Sequence, residues 1–223
     1  EGVAVIAENY WAALKGRKAL KVQWDHQGYD QFNTTDYEQQ LRELAKTEGL
    51  IAHNSGDFDK AMEEAPHKLE ALYETPVVAH STMEPMNCLA HWKEGDKVDI
   101  YTSSQGASLI KRELSQTLGI PEDNITPHIS FLGGGFGRRL ASDFASEAAF
   151  ISREVGRPVK VIWTREDDTR LGPFRPMTFS ALRAGLSADG KPMAFQHKVI
   201  SPSINATKND KYDKTKPDRS MVE

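Results

Sequence analysis

Val98-Asp99-Ile100-Tyr101-Thr102 alternates apolar and polar residues, Ser103-Ser104-Gln105-Gly106 interrupts it, and Ala107, Ile110, Leu114 and Leu118 then recur at helical spacing. Period two followed by period 3.6 reads as a strand, a polar turn and a helix, the helix ending at Gly119 and Pro121. Ile129 and Phe131 belong to a second strand. It empties into Gly133-Gly134-Gly135-Phe136-Gly137-Arg138-Arg139, four glycines within five positions with two arginines behind them. Phe144, Ala148, Ile151 and Val155 stripe a second helix, closed by Gly156 and Pro158, and Val159 to Thr164 forms a third strand. The order β-α-β-α-β predicts parallel strands joined by right-handed crossovers, within an α+β (mixed α/β) fold. Ligands of such units gather beyond the carboxyl ends of the strands. Both the Ser103–Gly106 turn and the glycine loop lie at such ends, so if the two strands are neighbours Gln105 and Phe136 face one site.

Taken alone, the glycine loop permits two readings. One is a tight turn with close packing. The other is a cradle in which main-chain N–H groups approach an anionic or heteroaromatic ligand with no Cβ in the way. Its spacing excludes the commonest nucleotide and hydrolase motifs. No Gly-Lys-Ser/Thr follows it as in a Walker A loop, and Gly133, Gly135 and Gly137 lack the wide final gap of the dinucleotide fingerprint. No Gly-x-Ser-x-Gly elbow is present for acyl transfer.

Outward from this centre, Val3 to Ala7 reads as a buried strand. Asn9 is placed to cap a helix carrying Trp11 and Leu14, and a second strand is expected around Val22 and Trp24, with both tryptophans in the core. Thr35-Asp36-Tyr37-Glu38 has capping-box spacing ahead of a helix with Leu41 and Leu44, and Asp57 to Glu64 is a short helix stopped before Pro66. Leu69 to Ala79 is extended. His80, Glu84, Cys88 and His91 are candidate metal ligands in type only: their spacing matches no compact zinc pattern, and Glu84 reads better as a buried hydrogen-bonding acid. Thr164-Arg165-Glu166-Asp167-Asp168-Thr169-Arg170 reads as a solvated loop with local ion pairs, and Leu171 to Pro176 as a stiff linker. Phe179 to Leu186 and Met193 to Ile200 flank Asp189-Gly190 as a C-terminal hairpin.

The composition excludes several classes. The 223 residues carry 28 basic and 32 acidic side chains, with no basic face that suggests nucleic acid. The single cysteine, Cys88, rules out a disulfide framework and an all-cysteine iron–sulfur site within these residues. No apolar run approaches the roughly 18 residues of a membrane span. A start in a strand without methionine, and a polar lysine- and aspartate-rich stretch over residues 205–223, suggest a piece of a larger subunit. The expected division is 1–68 for an N-terminal β-α-β portion with helices, 69–204 for a ligand-binding portion, and 205–223 for a polar linker to the remainder.

Three motifs together carry a family resemblance. Met83-Glu84-Pro85-Met86-Asn87-Cys88, Tyr101-Thr102-Ser103-Ser104-Gln105 and Gly133 to Arg139 resemble, in this order, the large subunit of the molybdenum hydroxylases of the xanthine dehydrogenase and aldehyde oxidoreductase family. The Gly-Arg-Arg variant and Trp163 to Asp168 resemble the isoquinoline 1-oxidoreductase beta subunit within it. The resemblance covers the chain to about Ser203. It implies a molybdopterin-binding domain of the aldehyde oxidase/xanthine dehydrogenase type, with molybdopterin bound as its cytosine dinucleotide and molybdenum held by the pterin dithiolene rather than by protein side chains.

The same resemblance assigns cofactor contacts. Gln105 would hydrogen-bond an oxygen ligand of molybdenum, and Gly134, Gly135, Phe136, Gly137 and Arg138 would approach the cofactor. Arg138 and Arg139 replace the commoner Gly-Lys, and Leu140 replaces the glutamate of xanthine-oxidising members. That loss of a polar group points to an aldehyde or a less polar N-heterocycle, with Leu140 and Arg175 on the substrate side. Partners implied are an iron–sulfur small subunit with 2Fe-2S clusters and the rest of the large subunit, where the family's catalytic glutamate lies. No catalytic residue is therefore assigned here, and these residues alone are expected to be inactive. The compartment stays open between bacterial cytoplasm and periplasm. The competing reading is a non-catalytic α/β binding or assembly module that keeps the glycine loop for packing.

Overall fold

The computed structural model describes residues 2–208, 213, 215–219 and 221. Along the chain run α1 (Tyr10–Ala19), α2 (Thr34–Ala45), α3 (Phe58–Glu64), β1 (His67–Thr75), β2 (Asn87–Lys93), β3 (Lys97–Ser103), α4 (Ala107–Leu118), β4 (Ile125–Ser130), α5 (Asp143–Val155), β5 (Val159–Ile162), α6 (Arg165–Arg170), β6 (Thr178–Leu186), β7 (Pro192–Ile200) and α7 (Ile204–Lys208), with a 3-10 turn at Arg138–Leu140. They form two compact units interleaved in sequence: residues 1–25 with 79–175, and residues 26–78 with 176–223.

The first unit is built on a four-stranded sheet of order β4-β3-β2-β5. β3, α4 and β4 form the expected parallel crossover, with Val98 opposite Ile125 and Ser103 opposite Ser130. β5 departs from the expected succession. It pairs antiparallel with β2, which itself runs antiparallel to β3. β5 thus keeps the sense of β3 and β4, but the β2–β3 hairpin places β2 between them. Ile110, Leu114 and Leu118 of α4 and Phe144, Ala145, Ala148 and Ala149 of α5 pack with Met86, Cys88, Ala90, Val98 and Ile100 into one core. On α5 the buried stripe runs through Phe144, Ala145, Ala148, Ala149 and Ser152, while Ile151 and Val155 are half-buried. Small side chains on this face let α5 lie close to β2, where Ser152 Oγ accepts from Trp92 N–H at 2.9 Å.

Two N-terminal expectations are corrected. Neither Val3–Ala7 nor the stretch around Val22 and Trp24 forms a strand, because neither finds a ladder partner among the described residues. Trp11 and Trp24 are 63% and 52% exposed, not core. α1 does form, with the Asn9 side chain accepting from Ala12 N–H at 2.9 Å, but it buries none of its residues. A polar tether holds it: Arg17 grips Asp167 through two 2.6 Å bonds.

The charge run after β5 is also corrected. It is not a solvated loop but the helix α6, opened by a capping box between Thr164 and Asp167, with Asp167 and Asp168 buried. Two buried carboxylates are tolerated because each has a guanidinium partner, Arg17 for Asp167 and Arg165 for Asp168.

The second unit is a three-stranded antiparallel sheet of order β1-β6-β7. The β6–β7 hairpin is the one expected, turning with Gly190 at φ 82°. Leu41 of α2 packs with Met177, Phe179 and Ile200. The cap of α2 lies two residues earlier than expected. Asn33, not Thr35, adopts the extended conformation and accepts from Thr35 N–H at 2.8 Å. The polar stretch 205–223 lies largely outside the described residues.

Candidate functional site

The site belongs to the first unit. Parallel pairing of β3 and β4 brings the Ser103–Gly106 turn beside the glycine loop, since Ser103 and Ser130 are register partners. The sequence-level condition for a shared site is therefore met by Gln105 and the loop. Gln105 Oε1 accepts from Gly137 N–H at 3.0 Å and Arg139 N–H at 3.3 Å, and its own N–H donates to the Arg139 carbonyl at 3.2 Å. Ser104 Oγ donates to the same carbonyl at 3.1 Å.

Because the carboxamide oxygen is engaged by the loop, Gln105 has only its Nε2 donors left to offer. They have no partner among the described residues, and Gln105 is exposed. The main-chain N–H groups of Gly134, Gly135 and Phe136 are likewise without protein partners among the described residues. The backbone here is unusual. Gly134, Phe136 and Gly137 have φ of 95°, 52° and 97°. A phenylalanine in that left-handed region is an outlier of the kind that clusters at functional sites. The residue is 66% exposed.

Behind the loop lies a buried polar frame. Glu84 is half-buried and accepts from Gly133 N–H at 2.9 Å, Asn87 Nδ2 at 2.8 Å, Ser103 Oγ at 3.2 Å and Arg139 Nη2 at 2.9 Å. Glu84 N–H returns a bond to the Gly133 carbonyl at 3.1 Å. Burial by itself would raise the carboxyl. The bonds from Gly133, Asn87 and Ser103 and the Arg139 charge outweigh it and hold Glu84 below the usual carboxylate range. Burial pulls the Arg139 guanidinium down, Glu84 and Asp168 pull it back up, and a group that starts so high stays cationic. The expectation that Glu84 is a hydrogen-bonding acid holds.

Arg138 is 2% exposed. Its two Nη atoms each bond Asp143 at 2.8 Å, and its guanidinium lies over the rings of Trp163 and Phe144 at 5.2 and 5.6 Å. Its Nε is buried without a partner among the described residues. Leu140 is 37% exposed at the end of the 3-10 turn, and Arg175 is exposed. The four candidate metal-ligand types do not converge. Cys88 and His91 are an odd number of positions apart on β2 and so face opposite sides of the sheet, and burial pushes the Cys88 thiol up to about 12. Among the described residues no group of three or more His, Cys, Asp and Glu could hold a metal ion.

Sequence reasoning treated His80 only as a metal-ligand type, and the structure gives it another setting. A Cβ on Gly137 would lie 3.7 Å from His80 Nε2, while His80 Nδ1 is buried without a partner among the described residues. Burial lowers its pKa, as do the nearby Arg175 and Arg138 charges, against the smaller opposing pull of the Pro173 carbonyl and Asp168. An unfolded chain would protonate His80 first as pH falls, so this contribution to stability is present above the unfolded value of about 6.5 and is lost on going below it. Thermal denaturation followed from about pH 7.5 to 5.5 is therefore expected to show a falling midpoint, with a shallower slope in a His80→Gln variant. Equal slopes would remove His80 from the account.

Arg139 is the residue that motif spacing undervalued. Its side chain is fully buried, with Nε donating to the Gly134 carbonyl at 2.8 Å and Nη2 to the Glu84 carbonyl at 2.7 Å. The one available signal was its place two residues after Gly137, the last glycine of the loop.

The family model described as "Molybdopterin cofactor-binding domain" matches residues 42–209. A membrane-bound aldehyde dehydrogenase [pyrroloquinoline-quinone] of Gluconacetobacter polyoxogenes is 34% identical over 202 residues, covering 89% of this chain and 26% of that protein. The isoquinoline 1-oxidoreductase subunit beta of Brevundimonas diminuta is 29% identical over 212 residues, covering 91% of this chain and 27% of that protein. Among solved structures, the aldehyde oxidoreductase of Desulfovibrio gigas superposes with a TM-score of 0.61 at 18% identity, over 66% of this chain and 16% of that one. That likeness concerns the fold. The chain thus spans about a quarter of the length of these curated relatives, 26% and 27%.

Proposed function

The chain belongs to the molybdopterin cofactor-binding domain family, and on that premise we propose that it supplies one wall of the molybdenum-cofactor site in an oxidoreductase that hydroxylates an aldehyde or a small aromatic N-heterocycle. The observation that carries this reading is the Gln105 carboxamide. Its oxygen is held by Gly137 N–H and Arg139 N–H, so it offers donors only, and it does so beside three main-chain N–H groups that have no protein partner among the described residues. An exposed set of donors on a left-handed loop fits a group rich in acceptor atoms that brings its own metal ligands.

When bound, that cofactor supplies the redox chemistry, taking two electrons from substrate and delivering oxygen ultimately derived from water. The residues of this chain bind and orient. Gln105 Nε2 donates to an acceptor oxygen of the cofactor. Gly134, Gly135 and Phe136 present N–H groups, and Gly137 keeps the turn open. Arg138 contributes through its packing on Asp143, Trp163 and Phe144. Leu140 and Arg175 lie on the substrate side. The cytosine dinucleotide form of the cofactor, and an iron–sulfur small subunit with 2Fe-2S clusters as electron acceptor, complete the proposal. Support for the two substrate classes comes from the relatives, one named for an aldehyde and one for isoquinoline.

Metal and pterin analysis of the complete enzyme tests the reading. Molybdenum close to one per chain, together with a pterin that oxidises to a fluorescent product, is expected. Pyrroloquinoline quinone with no molybdenum would overturn it.

A further inference from the structure

We propose that Arg139 is a positioning residue, whose guanidinium, clamped by Glu84, fixes the orientation of the Gln105 carboxamide and with it the donor that the site presents. The proposal rests on the cofactor reading above and deepens it. Arg139 ties together three segments that are distant in sequence. Its side chain donates to the Gly134 carbonyl, the Glu84 carbonyl and Glu84 Oε2. Its main chain donates to Gln105 Oε1 and accepts from Gln105 N–H and Ser104 Oγ. The two halves of the residue therefore act on the two halves of the site. The guanidinium holds the loop at Gly134 and Glu84, and the peptide groups hold the glutamine.

The fork geometry matters. Nε and Nη2 serve acceptors on two separate chain segments, and a lysine has a single nitrogen with which to do it. A guanidinium this deeply buried persists only if paired. Glu84 supplies the pair and also accepts from Gly133 N–H, so the start and the end of the glycine loop are anchored on one carboxylate. If this frame loosens, Gly137 N–H and Arg139 N–H no longer hold Gln105 Oε1. The amide is then free to turn its oxygen outward, presenting an acceptor where an acceptor-rich group must bind.

The test uses the complete enzyme carrying Arg139→Lys, Glu84→Gln, Gln105→Ala or Arg139→Lys with Gln105→Ala, read by amide hydrogen exchange in cofactor-free and loaded protein and by steady-state kinetics. With Arg139→Lys, exchange over residues 131–141 in the cofactor-free protein is expected to rise about tenfold, while α5 is unchanged. kcat is expected to fall with KM nearly constant, and the double variant to be no slower than Gln105→Ala alone. Glu84→Gln keeps the shape and removes the charge, and is expected to raise loop exchange by a smaller factor. Should Arg139→Lys fail to fold, Glu84→Gln decides: unchanged loop exchange overturns the proposal. Exchange that rises equally across α5, or kinetic losses that multiply in the double variant, also overturns it. Unaffected turnover in Gln105→Ala would instead sink the cofactor reading, leaving the cofactor-free exchange result to decide the positioning role.

Discussion

Gln105→Ala is expected to lower turnover of the complete enzyme by about 10²–10³-fold, the usual cost of removing one preorganised donor from a polar site, with molybdenum content retained. The size follows from the lack of a substitute. Gln105 Oε1 is committed to Gly137 N–H and Arg139 N–H, and Nε2 is the side-chain donor beside the loop. Gln105→Glu separates the two halves of the carboxamide. A carboxylate can still accept from both loop N–H groups but offers no donor, so this variant is expected to assemble normally and to be as slow as the alanine variant. Metal analysis and steady-state rates on the same preparations check both. Loss of assembly with undiminished specific activity would favour the packing-module reading of the glycine loop instead.

Gly135→Ala is the second large effect, argued from space rather than from charge. Gly135 is not among the residues at positive φ, so alanine fits the backbone there. The difficulty is the new Cβ, which would lie 2.5 Å from Gln105 Oε1 and 2.7 Å from its Cδ. What must move is the far end of a flexible side chain, which is cheap for folding and ruinous for the geometry of the amide. A loss of turnover of about 10²-fold is expected, with a denaturation midpoint little changed. Gly135→Ala combined with Gln105→Ala should be no slower than Gln105→Ala alone. A large drop in the midpoint would show that the glycine serves packing. Gly133 offers a contrast: a Cβ there would meet Glu84 Cβ at 2.6 Å, an atom that cannot swing away.

Much of the site was legible from residue types and spacing. Alternation over Val98 to Thr102 and the 3.6 period from Ile110 to Leu118 placed β3 and α4. Gln105 and the loop then followed at adjacent strand ends, because a parallel crossover brings consecutive strands together. Glu84 could be read as a hydrogen-bonding acid because it stands in a segment whose spacing fits no metal. Other parts were illegible for stated reasons. The apolar residues from Val3 to Trp24 look like core, yet none of them is buried and Val3, Ile6, Trp11, Val22 and Trp24 are exposed: apolarity records what a residue can bury against, not whether a partner surface is within reach. The run from Thr164 to Arg170 looks solvated, yet two of its acids are buried: Asp168 finds the local ion pair expected, with Arg165, but the arginine that pairs with Asp167 lies 150 positions away in sequence.

The sequence by itself determined β3, α4, β4, α5 and the β6–β7 hairpin, the glycine loop and the family motifs, since periodicity, turn chemistry and motif spacing are properties of short stretches. Tertiary structure alone decided three things. It put β2 between β3 and β5, a matter of non-local pairing that no window of residues encodes. It buried Arg138 and Arg139 and gave them Asp143 and Glu84 as partners, so two residues that motif spacing placed only at the end of the glycine loop became its frame. It also turned Gln105 into a donor rather than an acceptor. Which half of a carboxamide meets a ligand depends on what the other half is bonded to, and that partner, the backbone of Gly137 and Arg139, reaches it only through the fold.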